Sequence, residues 1–408
     1  MTKLKSDFTF VNVYVERTLS PTLGEALRAF PAVFLTGPRQ SGKTTLLRHD
    51  FGGRFAYVTF DDPLERDFAR SDPLGFLGRF QDRPAILDEV QYVPDLLPHI
   101  KMRIDASPPD TGPAAGRWLL TGSQQFALMQ NLGESLAGRV AILDLLPFSA
   151  REMAPPSLAE AVWVGGYPVP ALHPDRRDLW MRAYIQTYLE RDVRQVKAIA
   201  DLRAFELFLS LCASQHGREL HKAAIARDCG LSQPTVGAWI GVLEASYVVA
   251  LLPPYFRNFG KRLIKAPKLY FLDSGLVTTL TRQPDGEAAL AGPMGGALLE
   301  GWVVGEAIKA FAALGRKPDL YYWRTQDGLE VDLLIQIAGR LHLVEIKLTA
   351  TPTLRHLEPL NRLKALLGDA AHAGGILVCT CEEERALPGE NRAIPWSGFT
   401  DWISERLS

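Results

Sequence analysis

The sequence predicts an α/β fold class: a parallel sheet covered by helices, then a helical stretch with a helix-turn-helix, then a second α/β unit. Three observations lead there. The short apolar runs "AVFLTG", "FAYVTF", "PAILDE" and "RWLLTG" alternate with helical patterns across residues 1 to 150, the rhythm of a parallel sheet with helices on both faces. Further on, "ELHKAAIARDCGLSQPTVGAWIGVLEASYVVALLPP" reads helix, tight turn, helix, strand. The C-terminal stretch reads helix, strand, hairpin, helix, strand. Its hairpin, "EVDLLIQIAGRLHLVEIK", sets Asp332, Glu345 and Lys347 among Val, Leu and Ile.

At roughly 100–200 residues per domain, about two to four domains are expected from 408 residues. Pro/Gly-rich "MAPPSLAE" and "GGYPVPALHPD" mark the exit from the first unit, and "TRQPDGEAALAGPMGG" marks the last boundary. The expected units are 1–150, a helical lid and linker over 151–214, a helix-turn-helix unit over 215–290, and 291–408. A hydrophobic content of 47% supports buried cores. The net charge of -1 excludes a global basic field, so any nucleic-acid contact must use local patches. The N-terminus lacks a signal-type apolar region, and no uncharged apolar run reaches ~18 residues. The reading is cytoplasmic, with no membrane partner. Cys212, Cys229, Cys379 and Cys381 lack the paired spacing of a zinc site.

"GPRQSGKT" follows an apolar strand and opens a helix, the context required of a phosphate-binding loop. Gly37 and Gly42 would let the backbone N–H groups of the loop, which runs through Pro38, Arg39, Gln40 and Ser41, curl round phosphates. Lys43 would reach the terminal phosphates, and the Thr44 hydroxyl, next to Thr45, would ligate Mg²⁺. The implied ligands are ATP and Mg²⁺. In "AILDEVQ", Asp88 ends an apolar strand and would hold the metal, while Glu89 would orient and deprotonate the attacking water. "LLTGSQQ" places Ser123 and Gln124 where a γ-phosphate sensor is expected. "SLAGRV" offers Arg139 as an arginine finger, acting either in its own chain or across a homo-oligomer contact.

In the helix-turn-helix, Gly230 makes the turn, Ser232 caps the second helix and Pro234 lies in its first turn. A wing is expected to follow. No Arg or Lys stands near the start of the second helix, so sequence-specific base reading is weak. The wing instead carries Arg257, Lys261, Arg262, Lys265 and Lys268. These would meet DNA phosphates with low sequence specificity. The alternative is a winged helix used only for packing.

With the hairpin turn at Ala338-Gly339, Asp332 faces Glu345, and Lys347 shares that face. Opposed carboxylates repel unless a cation sits between them. Two metal-binding acids and a Lys are what a Mg²⁺-dependent phosphodiester nuclease needs. The preceding helix, "GALLEGWVVGEAIKAF", offers Glu300 on a stripe with Val304, Ala307 and Phe311. Glu306 is rotated ~120° away. The alternative is a hairpin whose charges, Glu330 among them, face water.

Assembled, these motifs resemble a bacterial and archaeal family that joins an AAA-type P-loop ATPase to a C-terminal domain related to PD-(D/E)xK nucleases. The likeness rests on "GPRQSGKTTLL", "LDEVQ", "LTGSQQ", "LAGRV", "KAPKLYFLDSGL", "LLEGWVVGEAI", "YWRTQDGLEVDLLI" and "VEIK". It implies a winged helix in the middle and a restriction-endonuclease-like α/β domain at the end. The acid, Asp and Glu-x-Lys pattern carries over onto Glu300, Asp332, Glu345 and Lys347. One departure is the short apolar lead, Ala85 to Leu87, before Asp88. The expected function is a Mg²⁺-dependent ATPase associated with DNA, with a nuclease-like C-terminal domain. The rival is an ATP-controlled switch or scaffold whose last domain only binds a partner.

Overall fold

A computed structural model describes residues 14–106, 115–122, 133, 135–189, 202–255, 266–325, 328–371 and 374–407. The first unit is a parallel sheet of β1 (Ala32–Thr36), β2 (Ala56–Thr59), β3 (Ala85–Asp88), β4 (Trp118–Thr121) and β5 (Val140–Asp144), in the order β2-β3-β4-β1-β5. β1, β3 and β4 are buried along their whole length, as expected of strands covered on both faces. The short lead into Asp88 forms a complete strand of four residues. One apolar cluster, including Phe34, Phe60, Phe76 and Leu97, lies on one side of the sheet. A second, including Leu23, Leu35, Leu47 and Phe55, lies on the other. Because β4 lies between β1 and β3, three strand ends meet at one sheet edge.

In the middle unit, the helices Lys222–Cys229 and Gln233–Ala245 form the expected helix-turn-helix. Gly230 takes a left-handed φ of 66° to end the first helix. Ser232 caps the second by accepting from the Thr235 amide at 3.2 Å. β7 (Val249–Leu252) and β8 (Lys268–Phe271) pair antiparallel, and β6 (Arg218–Glu219) adds to the far side of β8. The helix Leu202–Ser214 packs against Lys222–Cys229, and Leu158–Val164 packs against Ser274–Leu280 and Gly286–Ala291.

The last unit has a six-stranded mixed sheet. Its strands are β9 (Leu320–Arg324), β10 (Glu330–Ile337), β11 (Arg340–Lys347), β12 (Ile376–Cys379), β13 (Arg385–Leu387) and β14 (Asn391–Pro395), in the order β13-β14-β12-β11-β10-β9. β10 and β11 turn through Ala338 and Gly339, at φ 48° and 79°. A two-residue turn with both φ positive matches the twist of the hairpin. The pairs run from Ile337↔Arg340 to Leu333↔Val344, the register that places Asp332 opposite Glu345. Against β9, however, β10 shifts register between Val331 and Leu334. Asp332 sits in that irregularity, where a bulge re-aims side chains.

The helix Gly295–Ala313 packs against β11, β8 and the helix Phe399–Leu407. A single apolar cluster runs from Leu158 through Trp239 and Tyr270 to Val344 and Phe399. The middle and last units therefore share one core rather than meeting as loosely linked domains. Among the described residues, no helix is long and apolar enough to cross a membrane.

Candidate functional sites

The phosphate loop leaves β1 at Gly37 and enters the helix Lys43–Phe51. Gly37 adopts φ 137°, and a Cβ there would lie 2.2 Å from the Leu145 carbonyl oxygen, so only glycine fits. Gln40 and Gly42 also have positive φ, at 60° and 94°. Lys43 is buried, and its Nζ donates to the carbonyls of Gly37 at 3.1 Å and Pro38 at 2.8 Å. The Ser41 hydroxyl is buried without a hydrogen-bond partner among the described residues, an orphan that a phosphate oxygen would satisfy.

Asp88 ends β3 beside this loop. It accepts from the Thr44 hydroxyl at 2.9 Å, from the Tyr57 hydroxyl at 2.7 Å, and from Thr121. Thr44 and Asp88 offer hard oxygen ligands side by side, and Tyr57 and Thr121 fix the carboxylate from behind. That donor set fits Mg²⁺. Glu89 has φ 62°, a strained conformation for a non-glycine residue and one that clusters at functional sites. Its amide donates to Thr121 at 3.4 Å, and its carboxylate accepts from Gln91. Burial pushes the Glu89 carboxyl above its ordinary range, in the direction that suits a general base.

Several residues at this site were not singled out in the sequence. Arg17 is buried. It donates to the Ser41 carbonyl at 2.9 Å, the Leu146 carbonyl at 2.6 Å and Glu152 at 3.0 Å, clamping the loop from outside. Trp180 donates to the Gln40 side chain at 2.8 Å, so the helix Arg177–Tyr184 rests on the loop. Tyr57 and Thr121 complete the metal-side carboxylate. Only Thr121 had a local signal, as the residue ending the strand in "LLTGSQQ". Ser123 and Gln124 lie outside the described residues.

Arg139 requires a correction. It precedes β5, and its carbonyl accepts from the amide of Ala32, the first residue of β1. The loop lies at the other end of β1, roughly 16 Å away at ~3.3 Å per strand residue. The Arg139 guanidinium is held by Asp105 at 2.6 and 3.1 Å. It is therefore no finger for the site of its own chain.

The second site lies where the helix Gly295–Ala313, β8 and the β10–β11 hairpin meet. Lys347 Nζ stands 3.0 Å from Asp332 and 2.7 Å from Glu345, so the two opposed carboxylates share a lysine. The Ile346 amide also donates to Asp332 at 2.9 Å. Glu300, Glu330 and Asp332 each bring a carboxylate oxygen within 4.8 Å of the others. Glu300 and Glu330 share Lys268 (2.6 Å from Glu300), and Tyr270 donates to Glu300. Burial, then the Asp332 charge, pushes Glu300 up to about 7 and Glu345 up to about 8.

Two expectations change here. Lys268, grouped with the phosphate-contacting wing residues, is only 4% exposed and is consumed by Glu300 and Glu330. It begins β8 rather than ending an exposed loop. Arg257, Lys261, Arg262 and Lys265 lie outside the described residues. Glu330, read with the wet face, joins the cluster because it stands two residues before Asp332 on β10. Glu306 points elsewhere: it accepts from the Ala150 amide at 2.8 Å and pairs with Lys309, tying this helix to the end of the first unit.

Comparison with known proteins completes this picture. Residues 29–154 match an AAA domain, so the chain carries an AAA-type P-loop ATPase domain. Residues 155–287 and 295–399 match two domains of unknown function, DUF8612 and DUF4143. The chain is 36% identical over 342 residues to the uncharacterized proteins Rv2008c of Mycobacterium tuberculosis and Mb2031c of Mycobacterium bovis, covering 83% of this chain and 75% of each relative. The chain belongs to the family of these mycobacterial proteins. Among solved structures, the Walker-type ATPase of Pyrococcus abyssi is similar at 14% identity and TM-score 0.44, over 66% of this chain and 96% of that one. A RuvB variant of Thermotoga maritima is similar at 17% identity and TM-score 0.29, over 59% and 90%. At such scores the likeness adds nothing to the fold described above. The DUF4143 match covers the acidic cluster and carries no evidence of nuclease activity.

Proposed function

We propose that the chain hydrolyses ATP with Mg²⁺ at the β1–β3–β4 edge, and that this turnover serves work on DNA. The observation that supports it best is the meeting of Lys43, the Thr44–Asp88 pair and Glu89 at one sheet edge. Lys43 would exchange two carbonyl partners for terminal phosphate oxygens, a gain for a buried ammonium. Thr44 and Asp88 would hold Mg²⁺, which neutralises charge on the bridging phosphates when bound. Glu89 would take a proton from water as its oxygen forms the new bond to the γ-phosphorus. The bond from that phosphorus to the β-bridging oxygen breaks, giving ADP and phosphate.

This reading is tested on two variants. Lys43→Ala should weaken nucleotide binding by roughly 10- to 150-fold, the worth of a hydrogen bond to a charged group. Glu89→Gln should bind as wild type and lose about 10²- to 10⁴-fold in turnover. Equal hydrolysis by Glu89→Gln and wild type would remove Glu89 from the mechanism.

DNA contact is supported by the helix-turn-helix and by the cationic residues between β7 and β8. Changing Lys261, Arg262 and Lys265 to Ala should weaken binding alike for all duplex sequences. The salt slope should fall by about 0.9 per lost phosphate contact. Unchanged affinity and slope would leave the winged helix a packing role. The C-terminal unit is read as a Mg²⁺-dependent nuclease. Its support is the convergence of Asp332, Glu345 and Lys347 with Glu300 nearby. Mg²⁺-dependent cleavage of linear and branched DNA, with and without ATP, tests it. Absence of cleavage in every condition would favour the ATP-controlled scaffold.

A further inference from the structure

The C-terminal cluster contains more acid than base. Glu300, Glu330, Asp332 and Glu345 face two buried or half-buried lysines, Lys268 and Lys347. Arg324 adds a cation 3.6 Å from Glu330, but it is 42% exposed and shared with Glu219. A second feature points to an absent ligand. Glu345 is 2% exposed, yet one of its carboxylate oxygens has no hydrogen-bond partner among the described residues. Through Lys347 that carboxylate adjoins Asp332, and the charges of Asp332 and Glu300 both act on it. Buried carboxylate oxygens without partners are costly, and hard divalent cations are the ligands that satisfy several at once.

Lys268 stands where such an ion would compete with it. Its Nζ contacts Glu300 and Glu330, two of the three carboxylates that converge within 4.8 Å. At 4% exposure it is out of reach of any substrate. It comes from the winged-helix sheet, whereas the acids come from the C-terminal helix and hairpin. An ammonium supplies one positive charge and cannot be chelated. A divalent ion supplies two and takes one oxygen from each acid.

We propose that Lys268 is an internal stand-in cation that closes a divalent-metal site made by Glu300, Glu330 and Asp332, and that a divalent ion and Lys268 exclude each other from it. This deepens the nuclease reading of the C-terminal unit by giving its metal site a competitor from the neighbouring unit.

The test uses the nucleotide-free, chelator-treated full chain and Mn²⁺ as the probe. Lys268→Met keeps the length of the side chain and removes its charge. It should bind Mn²⁺ at least tenfold more tightly than wild type, and adding Glu300→Gln should remove the gain. Should Lys268→Met fail to fold, wild type still decides. Acylation of the Lys268 amine, quantified by peptide mass, should rise several-fold in millimolar Mn²⁺ as the ion displaces the side chain. No gain in Mn²⁺ affinity, a gain that survives Glu300→Gln, or acylation indifferent to Mn²⁺ would each overturn the proposal. A protein that passes these tests but cuts no DNA counts against the nuclease reading alone.

Discussion

At the phosphate loop, Asp88 is held by three neutral hydroxyls, those of Thr44, Tyr57 and Thr121. In the C-terminal unit, Asp332 is held by a backbone amide and by Lys347, while Lys268 bridges Glu300 and Glu330. Both regions gather acids, but they balance charge differently. Hydroxyls orient a carboxylate without cancelling it, so its charge stays available to a metal. Lysines cancel it. On the proposed reading, the first site takes Mg²⁺ with its nucleotide. The second is closed on itself until a competing cation arrives.

The strongest way to break this contrast is Asp332→Asn. It removes one carboxylate of the C-terminal cluster and keeps an oxygen for the Ile346 amide. Losing an outer partner of a metal ligand already costs ~10- to 100-fold, so losing the ligand itself should cut cleavage by at least about 100-fold. Thermal stability without metal should stay level or rise, because like-charge repulsion falls. The corresponding Asp88→Asn change relieves the charge of Asp88 on Glu89 but disturbs a carboxylate held by three hydroxyls, and should show no comparable stabilisation. Calorimetric melts of both variants in chelator check the pair. A clear loss of stability in Asp332→Asn would mean that its bond with Lys347 outweighs the repulsion.

Arg17→Ala sharpens the comparison from the other side. The phosphate loop also uses a buried ion pair, but one shell out, where Arg17 meets Glu152 with both side chains at most 5% exposed. Removing Arg17 leaves Glu152 buried without its cation, which should cost about 3–5 kcal/mol. Denaturant titration reads this as a lower midpoint at constant slope. Nucleotide affinity should fall less than in Lys43→Ala, because Arg17 holds the loop by the Ser41 carbonyl rather than reaching toward the phosphates.

The contrast also explains what could be read from sequence. The phosphate loop is a local device: eight consecutive residues set its glycines, Lys43 and Thr44, and the strand end beside it supplies Asp88 and Glu89. Period-two spacing and a two-residue turn likewise gave the hairpin register, with Leu333 opposite Val344 as found. Residues that arrive from elsewhere in the chain carried no such pattern. Arg17 reaches the loop across 24 residues and Glu152 across 135. Lys268 read as one more cation in a basic run, because its neighbours in sequence are basic and its acidic partners lie 32 and 62 residues on. Glu330 was within reach of period-two spacing, two residues before Asp332, but the hairpin pattern could not show Lys268 arriving from β8 to pair with it.

The smallest effect expected is in the pH dependence of stability, and there the two regions should differ in sign. Burial pushes the Glu152 carboxyl up, but Arg17 and the Ser149 and Thr18 amides outweigh it and hold the group below its ordinary 4.5. A depressed acid contributes stability that is present above its unfolded value and lost as pH falls through the folded value. Glu300 and Glu345 are the reverse, raised from 4.5 to about 7 and about 8. The folded protein holds their protons where the unfolded chain has released them, so stability drains away as pH rises from about 4.5 through 8. In chelator, the melting temperature of wild type should therefore fall across neutral to mildly alkaline pH. Glu300→Gln, which cannot ionise, should flatten that fall. Arg17→Ala should leave it unchanged and alter only the acid limb. A melting temperature that rises from pH 6 to 8.5 in the metal-free protein would mean that Lys268 and Lys347 already compensate the cluster in full, and the proposed competition with a divalent ion would lose its driving force.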